Sequence, residues 1–152
     1  MYRLDVVKAN EGFDEDFFCY VEDIDLAFRL RLKGYACLLV PDAVVSHMGA
    51  ATSGSKTSTF AIYYGHRNMV WAFVKNMPGV LFWLLLPLHL LINLLSIAWF
   101  SYRGYAAIIL KAKRDALLGL PMMWKKRKII QSGRKISVFS IWKILNKSVF
   151  IR

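Results

Sequence analysis

Tyr20-Val21-Glu22-Asp23-Ile24-Asp25-Leu26-Ala27-Phe28-Arg29-Leu30-Arg31-Leu32-Lys33-Gly34-Tyr35 is the stretch on which the fold turns. Three carboxylates open a run with apolar residues at helical spacing, and Gly34 closes it, so a helix is predicted from about Glu22 to Lys33. Acids in a first turn complement the helix dipole and cap free N–H groups, which is by itself a sufficient reason for the cluster. Each helical residue advances about 100° around the axis, so the three acids diverge. Asp25, Arg29 and Lys33 fall on the side of Glu22, which predicts a solvated face with an Asp25–Arg29 pair at i, i+4. Asp23 projects toward Leu26, Ala27 and Leu30, where partial desolvation favours the neutral acid and suits a proton acceptor. Asp23 is thereby the candidate general base, unless the helix begins at Asp23 or Ile24 and the residue is only a cap.

Outward from this helix, residues 1–10 read as a helix end or connector, and Gly12 to Phe18 as an acidic turn with aromatic anchors. Ala36 to Val40 and Ala43 to Ser46, divided by Pro41-Asp42, read as two short strands or one bent strand. His47 follows at the strand end, where site residues gather in α/β domains and where a neutral imidazole can bind a metal beside a diphosphate. A structural histidine is the competing reading there, and His66 and His89, lacking such placement, read as structural. Gly49 to Thr59 is a Gly, Ser and Thr-rich loop, and a helix is expected from Phe60 to Val74.

No Asp, Glu, Lys or Arg occurs between Lys75 and Arg103, and Val80 to Phe100 is dense in Leu, Ile, Trp and Phe. As a helix this run is about 31 Å long, close to the hydrocarbon thickness of a bilayer. Pro87, His89 and Asn93 make a broken, re-entrant or interfacial helix the competitor to a clean span. The net charge of +11 is unevenly distributed: residues 1–78 hold 8 basic and 9 acidic side chains, residues 79–152 hold 13 and 1. Basic charge flanking an apolar run fits an anionic membrane surface better than a nucleic acid. The segment from Ala106 to Leu120 and on through Lys125-Lys126-Arg127-Lys128 reads as basic amphipathic helix lying on headgroups. Two isolated cysteines, Cys19 and Cys37, and no signal-peptide pattern fit a reducing, cytoplasmic setting.

Gly12-Phe13-Asp14-Glu15, Phe17-Phe18, Tyr20, Glu22-Asp23, Asp25-Leu26, Arg29-Leu30, Gly34-Tyr35 and Val40-Pro41-Asp42-Ala43, with His47, resemble the second half of family 2 glycosyltransferases of the GT-A fold. The likeness is greatest to rhamnosyltransferase-like members and runs over residues 1–78, and Tyr63-Tyr64, Arg67-Asn68 and Lys75-Asn76 look like that subgroup too. The resemblance implies an α/β chain: the carboxy-terminal half of a Rossmann-like GT-A domain (1–78), a transmembrane or re-entrant helix (79–102) and a basic amphipathic tail (103–152). It implies inverting transfer from a nucleotide sugar to a lipid-linked or polysaccharide acceptor at the cytoplasmic face of the membrane, with no nucleic-acid partner. By the same resemblance Asp23 deprotonates the acceptor, Glu22 supports it, and His47 helps hold a divalent cation, Mg2+ or Mn2+, on the diphosphate. The family's amino-terminal βαβ region with its Asp-x-Asp motif is absent from this chain, and Glu11 stands where the family often has glycine. The isolated chain is therefore expected to be inactive. The alternative is a non-catalytic membrane-bound interaction module in which the acids cap a helix.

Overall fold

The computed structural model describes residues 2–38, 40–44 and 58–145. Its elements are α1 (Leu4–Lys8), a short 3-10 turn (Glu15–Phe17), α2 (Glu22–Leu32), α3 (Thr59–Asn76), α4 (Gly79–Tyr102), α5 (Ala106–Leu118), α6 (Leu120–Ser132) and α7 (Val138–Ile144). The expected α/β, Rossmann-like class is overturned: the described residues are helical, with no strand among them. An apolar run becomes a strand only beside another backbone that takes its N–H and C=O groups. None does so here. Residues 36–38 and 40–44 lie on the surface, Leu38 and Val44 are 83% and 87% exposed, and the bonds made are those of local turns, Ala43 N–H to Val40 O and Val44 N–H to Asp42 O.

The helices start and stop where the sequence dictates. Ser58 caps α3, its side chain accepting from Ala61 N–H at 3.2 Å, and Met77-Pro78 ends that helix, since proline drives the preceding residue out of helical geometry. Gly34, at φ +92°, closes α2 in the left-handed region that glycine occupies at little cost. Proline inside a helix removes one hydrogen bond. Pro87 nevertheless sits within an uninterrupted α4.

Helix α3 is the spine. Phe17, Leu32, Trp71, Leu81, Phe82, Ala116, Met123 and Ile141 are buried in one cluster around it, drawing on both halves of the chain. The carboxyl end of α3 would leave orphan carbonyls. Arg127 donates to Val74 O and Met77 O, and Gln131 to Asn76 O, so α6 closes the carboxyl end of the spine. Between α5 and α6 the chain passes Trp71 at Gly119, where a Cβ would lie 2.4 Å from the indole ring. Only glycine lets the two helices bend around that tryptophan, whose Nε1 donates to Ala116 O at 2.9 Å.

Helix α4 folds back along the spine. Phe82 and His89 pack on Phe73, with ring centroids at 5.3 and 4.1 Å, and Phe100 meets His66 at 4.8 Å. Then α5 returns along α4, with Lys113 donating to Asn93 Oδ1. One face of α4 thus meets α3 and α5, buried at Leu81 and Phe82, while Leu84, Leu88, Leu91 and Leu95 on the other are exposed.

Candidate functional site

The acidic helix is positioned from α3. Phe18, Tyr20 and Val21, which lead into it, all have positive φ, between 60° and 71°. For non-glycine residues, and above all for β-branched valine, that is strained backbone. Asn68, buried on α3, offsets the strain: its Nδ2 lies 2.8 Å from each of Phe17 O, Cys19 O and Tyr20 O. Arg67 adds bonds to Asp16 O and Phe17 O. The turn, and with it the start of α2, hangs from the middle of the spine.

The three carboxylates of α2 then take different environments, and two differ from the angular expectation. Asp25, expected on a solvated face, is fully buried. Its carboxylate receives Arg29 Nε at 2.8 Å, Lys75 Nζ at 2.9 Å and Asn76 Nδ2 at 2.8 Å. The i, i+4 pair with Arg29 forms as expected, but inside the protein. Arg29 also donates to Asn10 O and Gly12 O, and Lys75 pairs with Asp14, which Lys126 holds from the far side. Burial alone would push the Asp14 carboxyl up; hydrogen bonds and charge from Lys126 and Lys75 outweigh it and hold Asp14 below the usual aspartate range. This network ties α2, α3 and α6 together.

Asp23, expected at a desolvated rim, is exposed, with one carboxylate oxygen accepting from Ile24 N–H at 2.8 Å. The apolar side of α2 was misjudged: Leu26 and Leu30 turn away to pack on Val6 of α1, and the α3-facing side carries Asp25. Glu22 is half-buried, and its Oε2 has no hydrogen-bond partner among the described residues. His47 lies outside the described residues. Among the described residues no three His, Cys, Asp or Glu side chains converge as a cation requires.

Asp23 opens onto a groove of about 560 Å³ between the start of α2 and helices α3, α4 and α5. Its wall on α4 is formed by His89, Asn93, Ser96 and Phe100, one stripe at i, i+4, i+7, i+11 that collects most of the polar side chains of this apolar helix. Facing them are His66 of α3 and Lys113 of α5. Burial, with Lys113 nearby, pushes His66 down to about 4, and burial pushes Lys113 down to about 8. Sequence reasoning read His66 and His89 as structural and did not single out Lys113. The signal was present as the spacing of His89, Asn93 and Ser96, which marks one face of the helix and not a break in it.

No family model and no solved structure matches the chain. A segment of 43 residues is 46% identical to the N-acetylglucosaminyl-diphospho-decaprenol L-rhamnosyltransferase of Mycobacterium tuberculosis, in strains CDC 1551 / Oshkosh and ATCC 25618 / H37Rv alike. The match takes in 28% of this chain and spans only 14% of the length of those curated relatives. It relates the chain to a glycosyltransferase over that segment, at a coarse level.

Proposed function

We propose that the chain is part of a membrane-associated, inverting glycosyltransferase that moves a sugar from a nucleotide donor onto a lipid-linked acceptor, with Asp23 as the proton acceptor. The observation that carries this reading is the shared groove: an exposed carboxylate at its mouth and the inner face of a bilayer-length apolar helix along its wall. In such a transferase the acceptor hydroxyl loses its proton as its oxygen attacks the anomeric carbon and the nucleoside diphosphate departs, so a carboxylate near the acceptor path is the group required. Glu22, adjacent and with an unmatched carboxylate oxygen, would orient the acceptor hydroxyl. The 43-residue match to a transferase whose name specifies a diphospho-decaprenol acceptor supports a polyprenyl-linked acceptor class. The divalent cation with His47 as a ligand belongs to this proposal on the resemblance alone, and the cytoplasmic face of the membrane is its proposed location.

The mode of membrane contact proposed is in-plane. Helix α4 is long enough to cross, but α3 and α5 pack against it. A crossing would draw Arg67, Lys75 and Lys113 toward hydrocarbon, where each charge costs several kcal/mol. Lying flat, the helix presents its leucine face to lipid and keeps the groove at headgroup depth.

The test is Asp23→Asn in the protein in its native host membranes, with transfer of labelled sugar onto endogenous lipid as readout. A loss of about 10²- to 10⁴-fold is expected, with folding unchanged. The competing reading, a non-catalytic module, is favoured by the local bond from Ile24 N–H to Asp23, as in a simple cap. Transfer that survives the substitution removes Asp23 as the proton acceptor, and transfer unchanged when the protein is removed altogether establishes the module.

A further inference from the structure

The groove holds a cluster that the proton-acceptor role leaves unused. Lys113 is half-buried and has no carboxylate partner among the described residues; its ammonium donates to Asn93 Oδ1 and lies 3.5 Å from His66 O. His89 Nε2 is buried with no hydrogen-bond partner among the described residues, although its ring is fixed by stacking on Phe73 at an interplanar angle of 7°. Ordinarily a buried cation is paired and a buried imidazole nitrogen is bonded, so both in one groove mark a place where an acceptor-rich group is missing. The groove is large enough for such a group, and the helix that supplies His89 and Asn93 turns its opposite face outward as bare leucine.

We propose that Lys113, His66, His89 and Asn93 form a phosphate site that takes the phosphate or diphosphate of the lipid-borne acceptor, an inference that rests on the transferase reading above. A phosphate offers several oxygens, each able to accept more than one hydrogen bond. Lys113 supplies the charge, as a strongly hydrated point donor suited to phosphate. The imidazoles of His66 and His89, neutral at physiological pH in the case of His66, supply ring N–H donors, and the Asn93 amide, one of whose N–H groups donates to His89 O, completes the set with the other. The burial that lowers Lys113 to about 8 is relieved when an anion sits beside it. The lipid tail leaves along α4 into the bilayer, and the sugar beyond the phosphate points up the groove toward Asp23.

The experiment is flotation of the full chain with vesicles of neutral phosphatidylcholine doped with polyprenyl phosphate, with free polyprenol, or with phosphatidylglycerol. Polyprenyl phosphate is expected to raise partition about tenfold over polyprenol, the contribution of one charge-assisted contact, and Lys113→Gln to abolish the gain. Lys113→Arg, which keeps the charge, should preserve much of it and shows that the site is still folded; Lys125→Gln on the exposed side of α6 should change nothing. An equal gain from phosphatidylglycerol, or a preference untouched in Lys113→Gln, overturns the site and assigns binding to general surface charge. Full competition by inorganic pyrophosphate in the absence of any lipid preference also overturns it, by making free phosphate the ligand. Asp23→Asn distinguishes the two readings: it should abolish sugar transfer and leave the phosphate preference intact. Phosphate preference in the full chain, with sugar transfer in the native host membranes unchanged when the protein is removed, takes away the enzyme reading and keeps only a lipid-phosphate site.

Discussion

Asp23 and Asp25 are two positions apart on one helix and have opposite environments, so isosteric substitution separates their roles. Asp25→Asn withdraws the charge that Lys75 and Arg29 are buried against, and should destabilise the protein by about 3 to 5 kcal/mol in chemical denaturation in detergent. Asp23→Asn, at an exposed carboxylate, should stay within about 0.5 kcal/mol by the same measurement. Asp14 gives the pH counterpart. Because its carboxyl is held below the ordinary value near 3.8, its contribution is fully present above that pH and is lost as the pH falls toward the lower folded value. Acid unfolding followed by circular dichroism should therefore steepen below about pH 4, and Asp14→Asn should flatten that limb while lowering stability at neutral pH. The acidic cluster could be found in the sequence, but not the fate of each acid. A helical wheel ranks sides by their own hydrophobicity, whereas Asp25 is admitted to the interior by Lys75 and Asn76, fifty residues away.

At the scale of elements, the first two helices after residue 58 could be read almost to the residue. The capping serine, the charge-free run and the basic stretches are local signals, and the expected bounds of 60–74 and 80–100 compare with Thr59–Asn76 and Gly79–Tyr102. That the expected strands do not form among the described residues was not legible in the same way, because a short apolar run such as 36–40 carries no local mark of whether a partner backbone lies beside it. The bend at Gly119 was equally hidden: the sequence shows a glycine in a helical stretch, and only the packing shows that Trp71 occupies the space of its missing Cβ. Gly119→Ala should push Trp71 off Ala116 O and cost about 1 to 3 kcal/mol through overpacking. A lowered thermal midpoint with altered near-UV circular dichroism would register it, and an unchanged midpoint would show that the indole has room to move.

The whole molecule is a helical body with one leucine face and a strongly basic second half. If α4 lies in the membrane plane, its two ends share one side of the bilayer. Cysteines placed at Val80 and Tyr102, both exposed, in a chain with Cys19 and Cys37 changed to serine, should react together with an impermeant maleimide added to sealed vesicles. Labelling of one and protection of the other would establish a crossing helix. The strained turn before α2 has a further consequence at this scale. Since three of its carbonyls hang on the single amide of Asn68, two residues along α3 from His66, the acid at the groove mouth and the imidazole inside it are fixed to the same rod. A lipid headgroup that shifts the rod must carry the carboxylate with it, so the distance between anchor and reacting end is set by the fold before any substrate arrives.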